Sequence, residues 1–281
     1  MTETIKNLAT ARLIELFSAI QGEGLNVGTR QIFIRFAICD LRCHFCDSAH
    51  TWQPSDTCRI EQTPGKRDFV TYANPVTQSQ LLGWVEQQML PPGLHDSISL
   101  TGGEPLLHAP FLQEFLPVVK EKTGLPIYLE TGGHRPQQLR MILKDLDLVG
   151  MDVKLPSVSG ENCWAAHEEF LQVCGDGGVE VFVKIIISQD TNPDELIQAR
   201  DLVAAQSPMI PVFLQPVTPL KPWEILPGKQ GENLDKLQKD KLQKPMLPPT
   251  PEQVLEWQGL MKRELKQVRV VAQTHKMMNQ L

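Results

Sequence analysis

The sequence predicts an α/β fold, a partial (β/α) barrel of mostly parallel strands. Three observations carry this. Short β-type runs alternate with helical stretches along the chain, several runs are apolar at nearly consecutive positions, and most end in residues able to do chemistry. In parallel α/β folds those strand ends build the functional mouth. At 281 residues one such unit is affordable, and we read residues 1–281 as a single domain.

The strand runs are QIFIRFA (31–37), SISLTGG (97–103), IYLETGG (127–133), LVGMDVK (148–154), VEVFVKIIIS (179–188), PVFLQPV (211–217) and VRVVA (268–272). Val181 to Ile187 is apolar except at Lys184, as for a strand covered on both faces. Helical stretches are expected at 78–89, 110–123, 137–145, 164–173, 193–206 and 252–265. Residues 53–76 hold three prolines and no helical period, and read as a loop or insertion. Residues 219–251, rich in Pro and Lys, read as an exposed excursion with a short helix near 232–243.

Composition narrows the function. With 41% hydrophobic and 21% charged residues the chain is that of a soluble globular protein. No apolar run is long enough for a membrane span, and the N-terminus mixes charges into its apolar residues, unlike a secretory signal; a cytoplasmic location is expected. The formal charge of -6 offers no general attraction to nucleic acid or anionic lipid, so a small-molecule substrate is the default.

Cys39, Cys43 and Cys46 crowd into CDLRCHFC, and in a reducing compartment such spacing means metal binding rather than disulfides. Cys163 and Cys174 read as thiols that pack like small hydrophobes. Three thiolates are one short of a closed tetrahedral site. Either they hold an iron-sulfur cubane with one iron open, shielded by Leu41 and Phe45, or they hold zinc completed by His44, His50 or Cys58.

The loop follows a strand, and about 55 residues on another strand ends in TGGEP (101–105). Alone, a GGE triplet is usually a turn. The pair together resembles the radical S-adenosylmethionine superfamily. That resemblance implies a 4Fe-4S cluster on Cys39, Cys43 and Cys46, with S-adenosyl-L-methionine on the open iron. It also implies that Gly102 and Gly103 receive the amino group of the cosubstrate, and Glu104 is suited to accept a hydrogen bond from it.

The flanking motifs SAIQGEG (18–24), FIR (33–35), CDSAHTW (46–52), LETGG (129–133), DVKLPS (152–157) and VRVVAQTHK (268–276) resemble, more narrowly, the 7-carboxy-7-deazaguanine synthases. The implied reaction is a radical ring contraction of 6-carboxy-5,6,7,8-tetrahydropterin to 7-carboxy-7-deazaguanine with loss of ammonia, in queuosine-type 7-deazapurine biosynthesis. Ile20, Gln21, Gly22 and Glu23 would meet the pterin edge, Arg35 its carboxylate, with Thr101 and His275 as further substrate contacts. Gly103, Asp152, Val153 and Lys154 would hold the cosubstrate, backed by Glu104, Thr131 and Gln215. Mg2+ would sit on Ser48, with Asp47 and Thr51 as competing oxygen ligands. A flavodoxin or ferredoxin as reductant and a homodimer are also implied, the C-terminal helix serving either the dimer interface or the core.

Each residue has a plainer reading: QGEG as a turn, Arg35 as a surface ion pair, Ser48 as a turn residue, Asp152 and Lys154 as solvated strand ends, His275 as surface. Two departures stand out. Ile38 replaces the glycine usual before the first cysteine, and DVKLPS replaces a serine-proline-lysine strand end. The rival functions are a glycyl-radical enzyme activase or other small radical enzyme, and a non-enzymatic zinc module.

Overall fold

Alternation along the strands sorts the side chains into two layers, because successive residues of a strand face opposite sides of the sheet. The computed structural model describes residues 9–219 and 246–280. Among these, ten strands form one open sheet: β1 (Leu13–Ile20), β2 (Arg30–Phe36), β3 (Thr57–Glu61), β4 (Phe69–Ala73), β5 (Ser97–Gly102), β6 (Ile127–Thr131), β7 (Leu148–Asp152), β8 (Glu180–Ile187), β9 (Val212–Pro216) and β10 (Val268–Val270). Their spatial order is β10-β9-β8-β7-β6-β5-β2-β1-β3-β4. β2 and β5 through β10 run parallel, as expected from their apolar runs. β1 is antiparallel to β2, β3 is parallel to β1, and β4 is antiparallel to β3. Among the described residues β4 and β10 are the two edges and do not pair with each other, so the sheet is open and the barrel partial.

Among the described residues the helices are α1 (Gln78–Gln88), α2 (Ala109–Thr123), α3 (Pro136–Ile142), α4 (Pro156–Ser159), α5 (Trp164–Gly177), α6 (Pro193–Gln206), α7 (Pro251–Met261) and α8 (Thr274–Met277). Local chemistry starts several of them. Thr77 with Gln80, and Thr250 with Gln253, form capping boxes that satisfy the first amides of α1 and α7. Toward the helices the sheet sends Ile98, Leu100, Leu129, Val149, Met151 and Ile185, which pack with Phe111, Phe115 and Phe170 in one buried core. α7 spends Trp257 and Met261 on that same core.

The opposite face carries a floor and a rim. Tyr128, Phe182 and Phe213 cluster at the floor. Two residues on, the same strands present Glu130, Lys184 and Gln215, so an apolar plug is topped by polar groups facing a cavity.

The structure departs from the sequence reading on one side of the sheet. Residues 53–76 contain β3 and β4, a hairpin that extends the sheet beyond β1, where a loop was expected. β1 was not expected as a strand, since LIELFSAI has no clean alternation; it is covered on both faces and its state is set by pairing with β2 and β3. The helix expected near 232–243 lies outside the described residues. Among the described residues no helix is long and apolar enough to cross a membrane.

Candidate active site

The carboxyl ends of the strands open on a cavity of about 470 Å³. The three cysteines, the residues from Ile20 to Glu23, Arg35, Ser48, the stretch Thr101 to Glu104, Thr131, Asp152, Lys154, Gln215 and His275 all line it. Val153 does not: its side chain lies in the core at 2% exposure, because it points to the helix layer between two cavity-facing neighbours.

The cysteine loop is pinned on its outer side. Arg42 donates its backbone N–H to Glu161 (2.5 Å) and its guanidinium to the Cys39 and Leu41 carbonyls (2.7 Å each), and its guanidinium lies over the Trp52 ring. The Ile38 carbonyl accepts the Glu104 N–H at 2.9 Å, and the Phe36 carbonyl accepts that of Gly103 at 3.0 Å. A Cβ on Gly103 would stand 2.2 Å from the Ile38 carbonyl oxygen, and one on Gly102, whose φ is 122°, 2.3 Å from that of Phe36. Only glycines let the TGGEP strand end lie against the cysteine loop.

Burial pushes the Cys39 thiol up to about 12 and Cys43 up to about 11. Thiols so disfavoured as anions need a cationic centre to ionise, which an iron-sulfur cluster provides. The zinc alternative loses its candidates: Cys58 is packed in the core on β3, and His44 lies exposed outside the cavity, leaving His50 alone on the wall. The donor set fits a cluster held by three thiolates.

Glu104 is committed elsewhere. Its carboxylate accepts the Thr131 hydroxyl (2.8 and 3.0 Å), the Gly132 N–H (2.9 Å) and the Leu106 N–H (3.0 Å) at 1% exposure. It caps the turn after β5 and ties that turn to the end of β6, so it braces the site rather than offering a free acceptor to an ammonium.

A chain of charges crosses the cavity. Asp152 pairs with Lys154 (2.6 Å) and Lys184 (3.2 Å), and Lys184 pairs with Glu23. Gln273 donates to Glu23 (2.8 Å) and Asp47 (3.0 Å), and Lys276 pairs with Asp47 at 2.8 Å. Burial works against charge at each of these sites, and the partners win. Glu23, Asp47 and Asp152 are held below the usual carboxylate range, and Lys154 and Lys184 above the usual lysine value. Asp47 and Thr51 are thus engaged, Thr51 through its hydroxyl to the Ser48 carbonyl (2.8 Å). The Ser48 hydroxyl lies 3.8 Å from the Cys46 sulfur.

At the other end, Gln21 donates to Gln31 (3.0 Å) and Glu130 (2.7 Å), while Ser99 and Thr101 donate to Glu130 at 3.1 and 3.0 Å. Burial raises the Glu130 carboxyl, helped by Glu23 and opposed by Lys184. Arg35 donates through Nε to Glu15 (2.9 Å), which also takes a terminal nitrogen of Arg59 at 2.5 Å. Burial pushes Glu15 up, but the two guanidiniums outweigh it and hold the carboxyl low.

Sequence reasoning gave no role to Glu15, Arg59, Glu130, Lys184, Gln273 or Lys276. Lys184 had a signal, as the one charge inside an apolar strand, and Glu130 sits in the quoted LETGG. Glu15 and Arg59 had none, since their strands were not expected.

Residues 33–203 match the Radical SAM superfamily. The chain is 41% identical to the 7-carboxy-7-deazaguanine synthase of Geobacter sulfurreducens, over 96% of this chain and 98% of that one. It is 29% identical to the enzyme of the same name from Methanothermobacter thermautotrophicus, over 77% and 86%. Its fold is similar to QueE from Escherichia coli (TM-score 0.56, 18% identity, 94% of each chain) and to a radical SAM methyltransferase from Sphaerobacter thermophilus (TM-score 0.56, 13% identity, 87% of this chain and 66% of that one). With the cysteine loop, the glycine strand end and the cavity they share, these relationships place the chain in the 7-carboxy-7-deazaguanine synthase family of radical SAM enzymes.

Proposed function

We propose that the protein is a radical S-adenosylmethionine lyase that contracts the ring of 6-carboxy-5,6,7,8-tetrahydropterin to give 7-carboxy-7-deazaguanine and ammonia. The observation that carries this is the meeting of Cys39, Cys43, Cys46, Gly103 and Arg35 on one cavity, in a chain alignable to 98% of a relative of that name. Substrate less ammonia equals product, so the reaction needs no net oxidant. The cluster, when bound by the three cysteines, supplies the electron that cleaves S-adenosylmethionine and starts the radical chemistry.

The chain's own residues then bind and orient. The Gly102–Gly103 strand end, Asp152, Lys154 and Gln215 face the cosubstrate side, where the buried Asp152–Lys154 pair is held in place. The terminal nitrogens of Arg35 take the pterin carboxylate as a two-point pair. Backbone groups of Ile20, Gly22 and Glu23, with Gln21, Thr101, Glu130 and His275, offer donors and acceptors to the ring edge. In this reading Mg2+ sits by the Ser48 hydroxyl, whose neighbours Asp47 and Thr51 are already bonded within the protein.

We extend the reading to a single-domain, cytoplasmic enzyme that works as a homodimer and takes electrons from a flavodoxin or ferredoxin. Six free cysteines suit a reducing compartment. Leu255 of α7, 69% exposed, is the apolar side chain of that helix left for a subunit contact.

The test is anaerobic reconstitution with iron and sulfide, followed by addition of the carboxy-tetrahydropterin, S-adenosylmethionine, Mg2+ and a low-potential reductant. A brown protein that yields 7-carboxy-7-deazaguanine and ammonia is expected. An intact cluster without that product overturns the proposal.

A further inference from the structure

Glu15 stands between two guanidiniums. On β1 its cross-strand neighbours are Arg35 of β2 and Arg59 of β3, and Arg35 is in turn opposite Thr101 of β5. The four make a row on the cavity face. Glu15, between the two arginines, is the most buried of the three: its side chain is 6% exposed, against 16% for Arg35 and 54% for Arg59 at the outer end of the row. Each guanidinium also rests on an aromatic face, Arg35 over Phe17 at 5.4 Å and Arg59 over Phe69 of β4 at 4.8 Å.

Glu15 divides its oxygens, Oε1 to Arg35 Nε and Oε2 to Arg59. Among the described residues no other acceptor bonds Arg35, so its two terminal nitrogens are left for a ligand. A carboxylate and a guanidinium prefer two-point pairing. Without Arg59, the second oxygen of Glu15 would be free to turn onto the fork of Arg35 and compete with an incoming carboxylate.

We propose that Arg59, supplied by the β3–β4 hairpin, is a positioning residue that occupies one oxygen of Glu15 and so keeps the terminal nitrogens of Arg35 available to the ligand carboxylate. This rests on the reading above that the substrate carboxylate meets Arg35. Arg59 acts through Glu15, and its effect is on selection for the acid group rather than on the ring.

Calorimetric titration of the full-length, cluster-loaded protein with 6-carboxypterin and with pterin, which lacks the carboxylate, tests this. Wild type is expected to prefer the acid by about tenfold or more, and Arg59→Ala to lose most of that preference while binding pterin unchanged. Arg59→Lys should keep part of it. Adding Glu15→Gln to Arg59→Ala should restore it, since a neutral amide no longer competes as an anion. A wild-type preference that survives Arg59→Ala, or a loss that falls on both pterins and is not restored by Glu15→Gln, overturns the proposal while leaving the substrate reading intact. Equal affinity of wild type for the two pterins overturns both.

Discussion

Ile38 holds a backbone conformation ill suited to its side chain. Its φ is 77°, the left-handed region, where a β-branched residue costs about 1–3 kcal/mol. It is kept there by both of its peptide groups: its N–H donates to the Thr51 carbonyl at 2.6 Å, and its carbonyl accepts the Glu104 N–H. The glycine usual at this place in the family thus has a physical reason, and isoleucine holds the same left-handed position at a cost in stability. Ile38→Gly and Ile38→Ala both delete the side chain, but only glycine relieves the backbone. In urea unfolding the glycine variant should be about 1 kcal/mol more stable than the alanine variant. Equal stabilities would mean that the backbone is not held left-handed in solution. The departure itself was legible in the sequence, but its conformation was not, since it depends on partners 13 and 66 positions away.

At the scale of elements, buried histidines join pieces of the fold. His167 of α5 donates through Nδ1 to the Gly133 carbonyl (2.8 Å) after β6, and its Nε2 accepts the Lys154 N–H (3.0 Å) after β7. Burial lowers it from the ordinary 6.5 to about 4, against the pull of the Gly133 bond. His95, against the Ser18 hydroxyl at 2.8 Å, falls to about 4 through burial and the nearby Arg30 charge, and burial lowers His108 as well. These groups stay neutral when folded, whereas the unfolded chain takes up protons near pH 6.5. Their stabilisation is therefore present above pH 6.5 and is lost as pH falls, for His167 and His95 toward pH 4. For His167 the slope is about 1.4 kcal/mol per pH unit. His167→Gln should flatten the stability profile between pH 6.5 and 4.5 by one such slope, measured by denaturant unfolding at stepped pH. An unchanged slope would show that His167 titrates normally. The parallel strands were legible because continuous apolar runs mark strands covered twice. β1 and β3 were hidden because Glu15, Arg59 and Glu61 interrupt their apolar pattern, and what makes those charges tolerable lies elsewhere in the chain: Glu15 pairs with Arg35 and Arg59 on neighbouring strands, and Glu61 accepts the backbone N–H groups of Ser18 and Arg67.

Across the whole molecule, the end of the chain returns to its beginning. Thr274 donates its N–H to the Gly22 carbonyl (3.1 Å), Gln273 bridges Glu23 and Asp47, and Gln280 accepts the Ile20 N–H at 3.3 Å. These contacts close one side of the cavity but bury no core side chain. Removing residues 273–281 should leave the thermal unfolding of the rest cooperative while product formation drops about a hundredfold, the scale of loss when a site is no longer held in place. Full activity in the shortened chain would remove the tail from the site. The sequence by itself determined the cluster loop, the glycine strand end and the parallel strands, because ligand spacing and apolar runs are properties of neighbouring residues. Only the tertiary structure decided that Glu104 is spent on bracing, that Lys184 lies between Glu23 and Asp152, and that Arg59, Glu15, Arg35 and Thr101 form one row. Those contacts depend on the register between strands distant in sequence, where a slip of one residue would turn each side chain to the opposite face.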